Sequence, residues 1–410
     1  MSEEIADNIK NEAQQSPAIT VTSSADSGPG TLREAVSIAT SGNTIVFSNS
    51  ILPATITLTG GAITIDKDLN IIGPGADKLI ISGSNDRIFI VNSSITVTII
   101  GLSFVNGFNS DPGGAIVNRG ATLNVTRCTF SNNTSLSSGG AIANTIECCY
   151  FTGTVNVLNS MFANNHSNYG GAIGSFSGGT VTVTNSTFAT NSADINGGAV
   201  VNDGTVNIAN TMFSNNFADV NGGAIANIGS TTITRTTFLN NNASKSGGAM
   251  ANIDNTATIT NSTFTNNTAD FGGAIGNFSS GTVDISNSTL TNNGSVYNGG
   301  AFVNDGNTTI VRCTFTSNSA TGDGGAFAND GTASISNTTF ANNIADFSGG
   351  ATVNFTPGNE TFTNSTFTDN SALNGGAIAN FSSNTVIATK CTFTGNSIPV
   401  TVGPVTIANS

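Results

Sequence analysis

The chain has 410 residues, only 9% of them charged, and a net charge of −13. Its eleven Lys and Arg are scattered, which speaks against nucleic acid or an anionic membrane surface as partner, since both need clustered cations. No apolar run approaches the ~18 residues of a membrane-spanning helix, so no membrane span is expected, and 25 Phe among many Ile and Val argue against disorder.

Residues 1–16 are acidic, lack the basic and apolar stretches of a secretory signal, and read as a flexible tail. Residues 17–112 read as an N-terminal cap with irregular first coils. Strand-like runs lie at Ile19–Thr22, Thr44–Phe47, Ile56–Leu58, Leu69–Ile72, Leu79–Ile81 and Ile95–Phe104. Between the first two, TLREAVSIAT (residues 31–40) predicts a short helix, with Thr31 as N-cap and Glu34 at the capping-box spacing. Packed on the open end of the first coil, that helix would blunt an edge that otherwise recruits other chains.

Residues 113–410 repeat. Gly-Gly-Ala begins at Gly113, Gly139, Gly170, Gly197, Gly222, Gly247, Gly272, Gly299, Gly324, Gly349 and Gly375, mostly 25 or 26 residues apart, with 31 between Gly139 and Gly170. A fixed period of this length is the mark of a solenoid, in which each repeat packs on its neighbours. In residues 222–241 (GGAIANIGSTTITRTTFLNN) the glycines suit a tight turn, Ile225 and Ile233 are apolar, and Asn227 follows two residues after Ile225. The run ends on Phe238 and, three residues later, Asn241; Phe213 with Asn216 and Phe264 with Asn267 hold the same places in adjacent repeats. Period-two alternation broken by Gly and Asn means short strands, so the fold class is all-β, a parallel β-helix with two or three strands per coil. Phe ladders then fill the core, and the two Asn ladders sit at turns, bonded along the axis through their amides and tolerant of left-handed backbone.

The five cysteines give no disulfide framework. Cys128, Cys313 and Cys391 stand where other repeats carry Ser or Thr, and Cys128 and Cys313 are ~34 Å apart at ~4.8 Å per coil, so they read as small buried fillers. Cys148 and Cys149 are adjacent. With Tyr150 and Phe151 they belong to the insertion in the long interval, a candidate contact loop that equally well tucks over its own coil.

Catalytic chemistry is sparse. Polysaccharide lyases and hydrolases need paired carboxylates, or acidic Ca²⁺ ligands with a basic residue. Asp194 and Asp219 fall at one place on successive repeats, a weak Ca²⁺ candidate or a solvated turn edge; Asp270 and Asp346 recur there, and Asp203, Asp305 and Asp330 share an Asn-Asp-Gly place. His166 is the only histidine, which excludes a His metal cluster, and it reads as a solvated turn residue. No cofactor is expected. Thr-x-Thr flanks the Phe at Thr263–Thr265, Thr314–Thr316, Thr366–Thr368 and Thr392–Thr394, either as ordinary exposed strand or as an ice-binding face. The Ala and Val around the first Asn (Ala115, Val117, Ala141, Ala143) make either a flat outer wall or a crowded inner corner.

GGA-Ile paired with Phe-x-x-Asn, over residues 113–396, resembles the repeats of chlamydial polymorphic outer-membrane proteins, which implies a right-handed β-helix and an adhesive role at a cell surface. The segment SADSGPGTLREAV resembles the N-terminal cap of a wider group of bacterial right-handed β-helix surface proteins, with Gly30 and Thr31 at the first two places of their C-S-L-R-E-A motif. The expected function is therefore a non-catalytic structural or adhesive surface protein, a rod that self-associates laterally or end to end or meets other surface proteins. The alternatives are a carbohydrate-binding or carbohydrate-active β-helix using the Asp edge, with glycans as partners, and ice binding. Cell surface, spore surface and extracellular space are the expected locations, with cytoplasmic assembly open because no signal peptide precedes the repeats.

Overall fold

The computed structural model describes residues 18–145 and 152–408, so the Cys148–Phe151 loop and residues 1–16 lie outside the described residues. The chain forms two compact units, one running to Ala193 and adding Ala199–Asn207, the other comprising Asp194–Gly198 and the chain from Ile208. Each is a right-handed parallel β-helix.

In the first unit, strands Ile19–Val21, Asn43–Phe47, Leu69–Ile72 and Thr96–Ile100 pair in parallel, one per coil, and open the first sheet. The irregular coils run without a break into the regular ones: Thr96–Ile100 pairs with Thr122–Thr126, Ser103–Val105 with Thr129–Ser131, and Phe89–Val91 with Ile116–Asn118. The expected run Ile95–Phe104 is split into Thr96–Ile100 and Ser103–Val105, because Gly101 turns the chain at φ +63. The predicted helix forms at Leu32–Ile38 and packs on Ile19–Val21 and Ile63–Ile65 through Leu32, Ala35 and Val36. Thr31 Oγ1 accepts the Glu34 N–H at 3.3 Å, whereas the Glu34 carboxylate reaches past the N-cap to the N–H of Gly30. Arg33 anchors the helix to Asp26 (Nη2 to Oδ1, 2.7 Å) and to the Gly61 carbonyl.

One coil of the second unit shows how the repeat is spent. Ile225–Asn227 lies in the third sheet, Ser230–Thr234 in the first, Thr237–Leu239 in the second and Asn242–Ala243 in a fourth. Two or three strands per coil were expected; the two-residue fourth is too short to leave an alternation. The strand Thr237–Leu239 is bracketed by left-handed residues, Arg235 (φ 48) and Asn240 (φ 55). The residue preceding the ladder Asn therefore takes the left-handed turn, not the ladder Asn itself.

Phe213, Phe238 and Phe264 are fully buried and stack at 5.1 and 4.6 Å with planes within 7°. Each ring contributes roughly 1.5–3 kcal/mol by burial. The paired glycines are steric necessities. Gly222 sits at φ +67, where a Cβ would stand 2.1 Å from the Ile225 carbonyl oxygen, and a Cβ on Gly223 would meet the Gly248 oxygen at 2.1 Å. The turn thus folds back over its own strand, and Ala224 and Ala226 are wholly buried beneath it. The small residues Ala115, Val117, Ala141 and Ala143 are buried in the same way, so they form no exposed wall.

Candidate functional site

Both Asn ladders lie inside the coils, fully buried, and are scaffold. Asn241 donates its backbone N–H and its Nδ2 to Asn267 Oδ1, at 2.9 and 3.0 Å, and its second amide hydrogen to the Phe213 carbonyl at 3.0 Å. Asn241 Oδ1 in turn accepts both donors of Asn216, at 3.1 and 2.9 Å. In the other ladder Asn227 Nδ2 donates to Asn252 Oδ1 at 2.7 Å and to the Gly229 carbonyl. Every amide valence is used, which is what burial requires. A third ladder escaped the sequence reading: Ser262 Oγ accepts the Thr236 N–H at 3.2 Å and donates to the Thr260 carbonyl at 2.9 Å. Cys128, Cys313 and Cys391 occupy this ladder as buried thiols outside any disulfide, and burial pushes the Cys313 thiol up to about 11.

The acidic candidates separate into two groups. Asp194 and Asp219 are both exposed, Asp194 inside the fourth-sheet strand Ser192–Asn196 and Asp219 directly after Phe217–Ala218. Among the described residues no three His, Cys, Asp or Glu side chains gather as a metal site. Asp305 and Asp330 are better fixed. Their N–H groups donate to the Asn277 and Asn304 carbonyls at 2.8 Å, which seats them one coil apart directly after the paired ladder residues Asn304 and Asn329. Gly331 follows because a Cβ there would strike the Gly306 carbonyl oxygen. Desolvation, then the charge of Asp330, pushes the Asp305 carboxyl up to about 6; desolvation also raises Asp330. A carboxyl of that kind stays partly protonated near neutrality and can hand over a proton.

His166 lies in the strand His166–Tyr169, not in a solvated turn, and its Nδ1 is 2.9 Å from Ser192 Oγ. The threonine columns fall in register on the outer face of the second sheet: Thr263, Thr289, Thr314, Thr339, Thr366 and Thr392 form one, and Thr265, Thr291, Thr316, Thr368 and Thr394 the other, broken by Ala341.

Two features carry little sequence signal. Glu360 points into the core and is fully buried where the preceding coil has Ala333. Neither of its carboxylate oxygens, nor the Thr352 hydroxyl nearby, has a hydrogen-bond partner among the described residues. Burial pushes its pKa up to about 8. The second feature is an exposed aromatic corner before the Gly-Gly turns. Tyr297 and Phe347 are 52% and 58% exposed, and Tyr297 stacks on Phe271 at 5.0 Å. Glu360 was visible only as a rare Glu in the repeats. The corner was hidden because its residues differ from coil to coil.

Residues 299–403 match the family described as the right handed beta helix region, and residues 127–145 and 210–228 match the Chlamydia polymorphic membrane protein repeat. No curated protein sequence matches the chain. Among solved structures, the catalytic unit of a thermostable GH87 alpha-1,3-glucanase from Streptomyces thermodiastaticus is 17% identical with a TM-score of 0.43, over 96% of this chain and 71% of that one. The mannuronan C-5 epimerase AlgE6 A-module of Azotobacter vinelandii is 13% identical with a TM-score of 0.38, over 97% and 99%. A mannuronic acid specific family 6 polysaccharide lyase from human gut microbiota is 8% identical with a TM-score of 0.33, over 91% and 79%. These likenesses are of fold alone. The chain resembles the chlamydial polymorphic membrane proteins in its repeats, and that resemblance points to a surface protein.

Proposed function

We propose that this protein is a non-catalytic structural or adhesive component of a cell surface, meeting other surface proteins or further copies of itself. The observation that carries this reading is where the matched repeats fall. Residues 127–145 include Phe130, Asn133, Gly139 and Gly140, all buried scaffold positions. The matched part contains the buried frame, and recognition on a constant scaffold falls to residues that face outward. Labelling intact source cells with an antibody against residues 208–408 tests it. Labelling without permeabilisation is expected, and labelling only after permeabilisation overturns the reading. Sedimentation across a concentration series tests self-association, with a rising sedimentation coefficient expected.

The Asp305–Asp330 pair favours a second reading, a carbohydrate-active β-helix. Two carboxyls at neighbouring-strand spacing, one held near 6, are the elements of acid–base glycoside chemistry. A panel of polysaccharides assayed for reducing ends and unsaturated products, with Asp305→Asn as control, decides it. Release that the variant abolishes would establish the second reading in place of the first.

A further inference from the structure

At the corner before the Gly-Gly turns, Tyr297, Gly322 and Phe347 hold the same place in three successive coils of the second unit, two residues ahead of Gly299, Gly324 and Gly349. The strand pairs just before this corner fix the register, Ser295 lying opposite Ala320 and Ala320 opposite Ala345. Tyr297 and Phe347 are thus two rungs of an exposed aromatic row whose middle rung is missing. Gly322 carries no side chain between them and admits none, because a Cβ there would meet the Tyr297 carbonyl oxygen at 2.2 Å and Asn298 Oδ1 at 3.0 Å. Tyr297 already uses one face against Phe271, at 5.0 Å and 26°. Two coil rises separate Tyr297 from Phe347, so a ring entering above Gly322 would sit ~4.8 Å from each. The buried Phe ladder stacks at the same spacing, 4.6 Å between Phe238 and Phe264.

The rim of this slot says what kind of ring it takes. Asn298, Thr321, Asp323 and Asp346 flank its residues along the chain, and Thr321 and Asp346 are exposed. Lys245, before the Gly-Gly turn at Gly247, is engaged with Asp270 at 3.3 Å. Carboxylates and amide oxygens accept hydrogen bonds from hydroxyl groups, and they repel an anionic ring on a chain of net charge −13. The faces of aromatic rings are electron-rich and attract the polarised C–H bonds on a pyranose face. We infer that the gap over Gly322, between Tyr297 and Phe347, is a binding slot for the terminal hexopyranose of an uncharged glycan. This rests on the adhesive reading and names the chemistry of its partner.

The test uses the whole protein and carrier proteins conjugated with terminal glucose, galactose, mannose, N-acetylglucosamine or sialic acid, with deca-arginine as a further arm. Tyr297→Ala and Phe347→Ala are compared with the wild type after unfolding curves confirm that both variants fold alike, as exposed positions should. At least one uncharged conjugate is expected to bind, each variant to weaken it about ten-fold or more, and the sialylated conjugate to bind about ten-fold more weakly. Binding of no uncharged conjugate, equal binding of the sialylated one, indifference to both variants, or ring-dependent capture of deca-arginine alone would each overturn the slot. Surface labelling of intact cells is independent of all these outcomes, so the slot can fail while the adhesive reading stands.

Discussion

A Cβ on Gly248 would stand 2.2 Å from the carbonyl oxygen of Gly273 in the next coil and 2.4 Å from that of Thr268. No rotamer relieves this contact, because the obstacle is backbone. Gly248→Val should therefore cost about 3 kcal/mol or more, well beyond the ~1 kcal/mol of propensity alone. Gly294→Ala is the control, since nothing lies within 3.7 Å of its would-be Cβ. Denaturant unfolding should separate the two variants clearly. Equal midpoints would mean that the second glycine is conformationally dispensable.

Asn241→Ala removes the oxygen that accepts both donors of Asn216 and the amide hydrogen that serves the Phe213 carbonyl. Each buried group left unmade costs ~1–3 kcal/mol, so a loss of about 3 kcal/mol or more is expected. Asn242→Ala, whose amide reaches Thr268 Oγ1 on the surface, should change stability by less than ~0.5 kcal/mol. Hydrogen exchange should show faster exchange at the Asn216 N–H in the first variant alone.

The scaffold was legible for a physical reason. A residue that stacks on its own equivalent must recur, so Phe213, Phe238 and Phe264 announced themselves by period, as did Asn216, Asn241 and Asn267. The same logic explains what stayed hidden. The third ladder mixes Ser262, Thr236 and Cys313, each of which satisfies the carbonyl two residues before it, and so blurs the repeat. Tyr297 and Phe347 face outward, where no unbroken column of identical residues enforces identity. Exposure of the Ala224 and Ala226 strip was undecidable from alternation, because the Gly222 turn covers a face that alternation leaves open.

The N-terminal helix hangs on Asp26. Its carboxylate takes Arg33 at 2.7 Å and the Gly60 N–H at 2.7 Å, and these contacts outweigh desolvation and hold its pKa below the usual 3.8. A folded-state pKa below the unfolded one stabilises above the unfolded value and is lost as pH falls through the folded one. Asp26→Asn should therefore speed amide exchange across Leu32–Ile38 at neutral pH, and the difference from wild type should shrink below about pH 3.8. A variant whose helix exchanges like the wild type would show that Leu32, Ala35 and Val36 hold it unaided.

Glu360 should give the second unit the opposite pH dependence. Its pKa rises from 4.5 to about 8 because burial disfavours the charged form. With the folded value above the unfolded one, its contribution is complete below about pH 4.5 and is lost progressively up to about pH 8. The full swing is about 5 kcal/mol at ~1.4 kcal/mol per unit, an upper figure that relaxation of the coil reduces. Glu360→Gln keeps the shape and abolishes the titration, so the variant should be the more stable at pH 8 and lose its advantage towards pH 4.5. The difference between the two melting curves isolates this group from Asp26 and the other carboxylates. A difference that stays constant over that range would mean that Glu360 ionises normally in the folded chain, reaching solvent by a movement of the strand Asn359–Thr363.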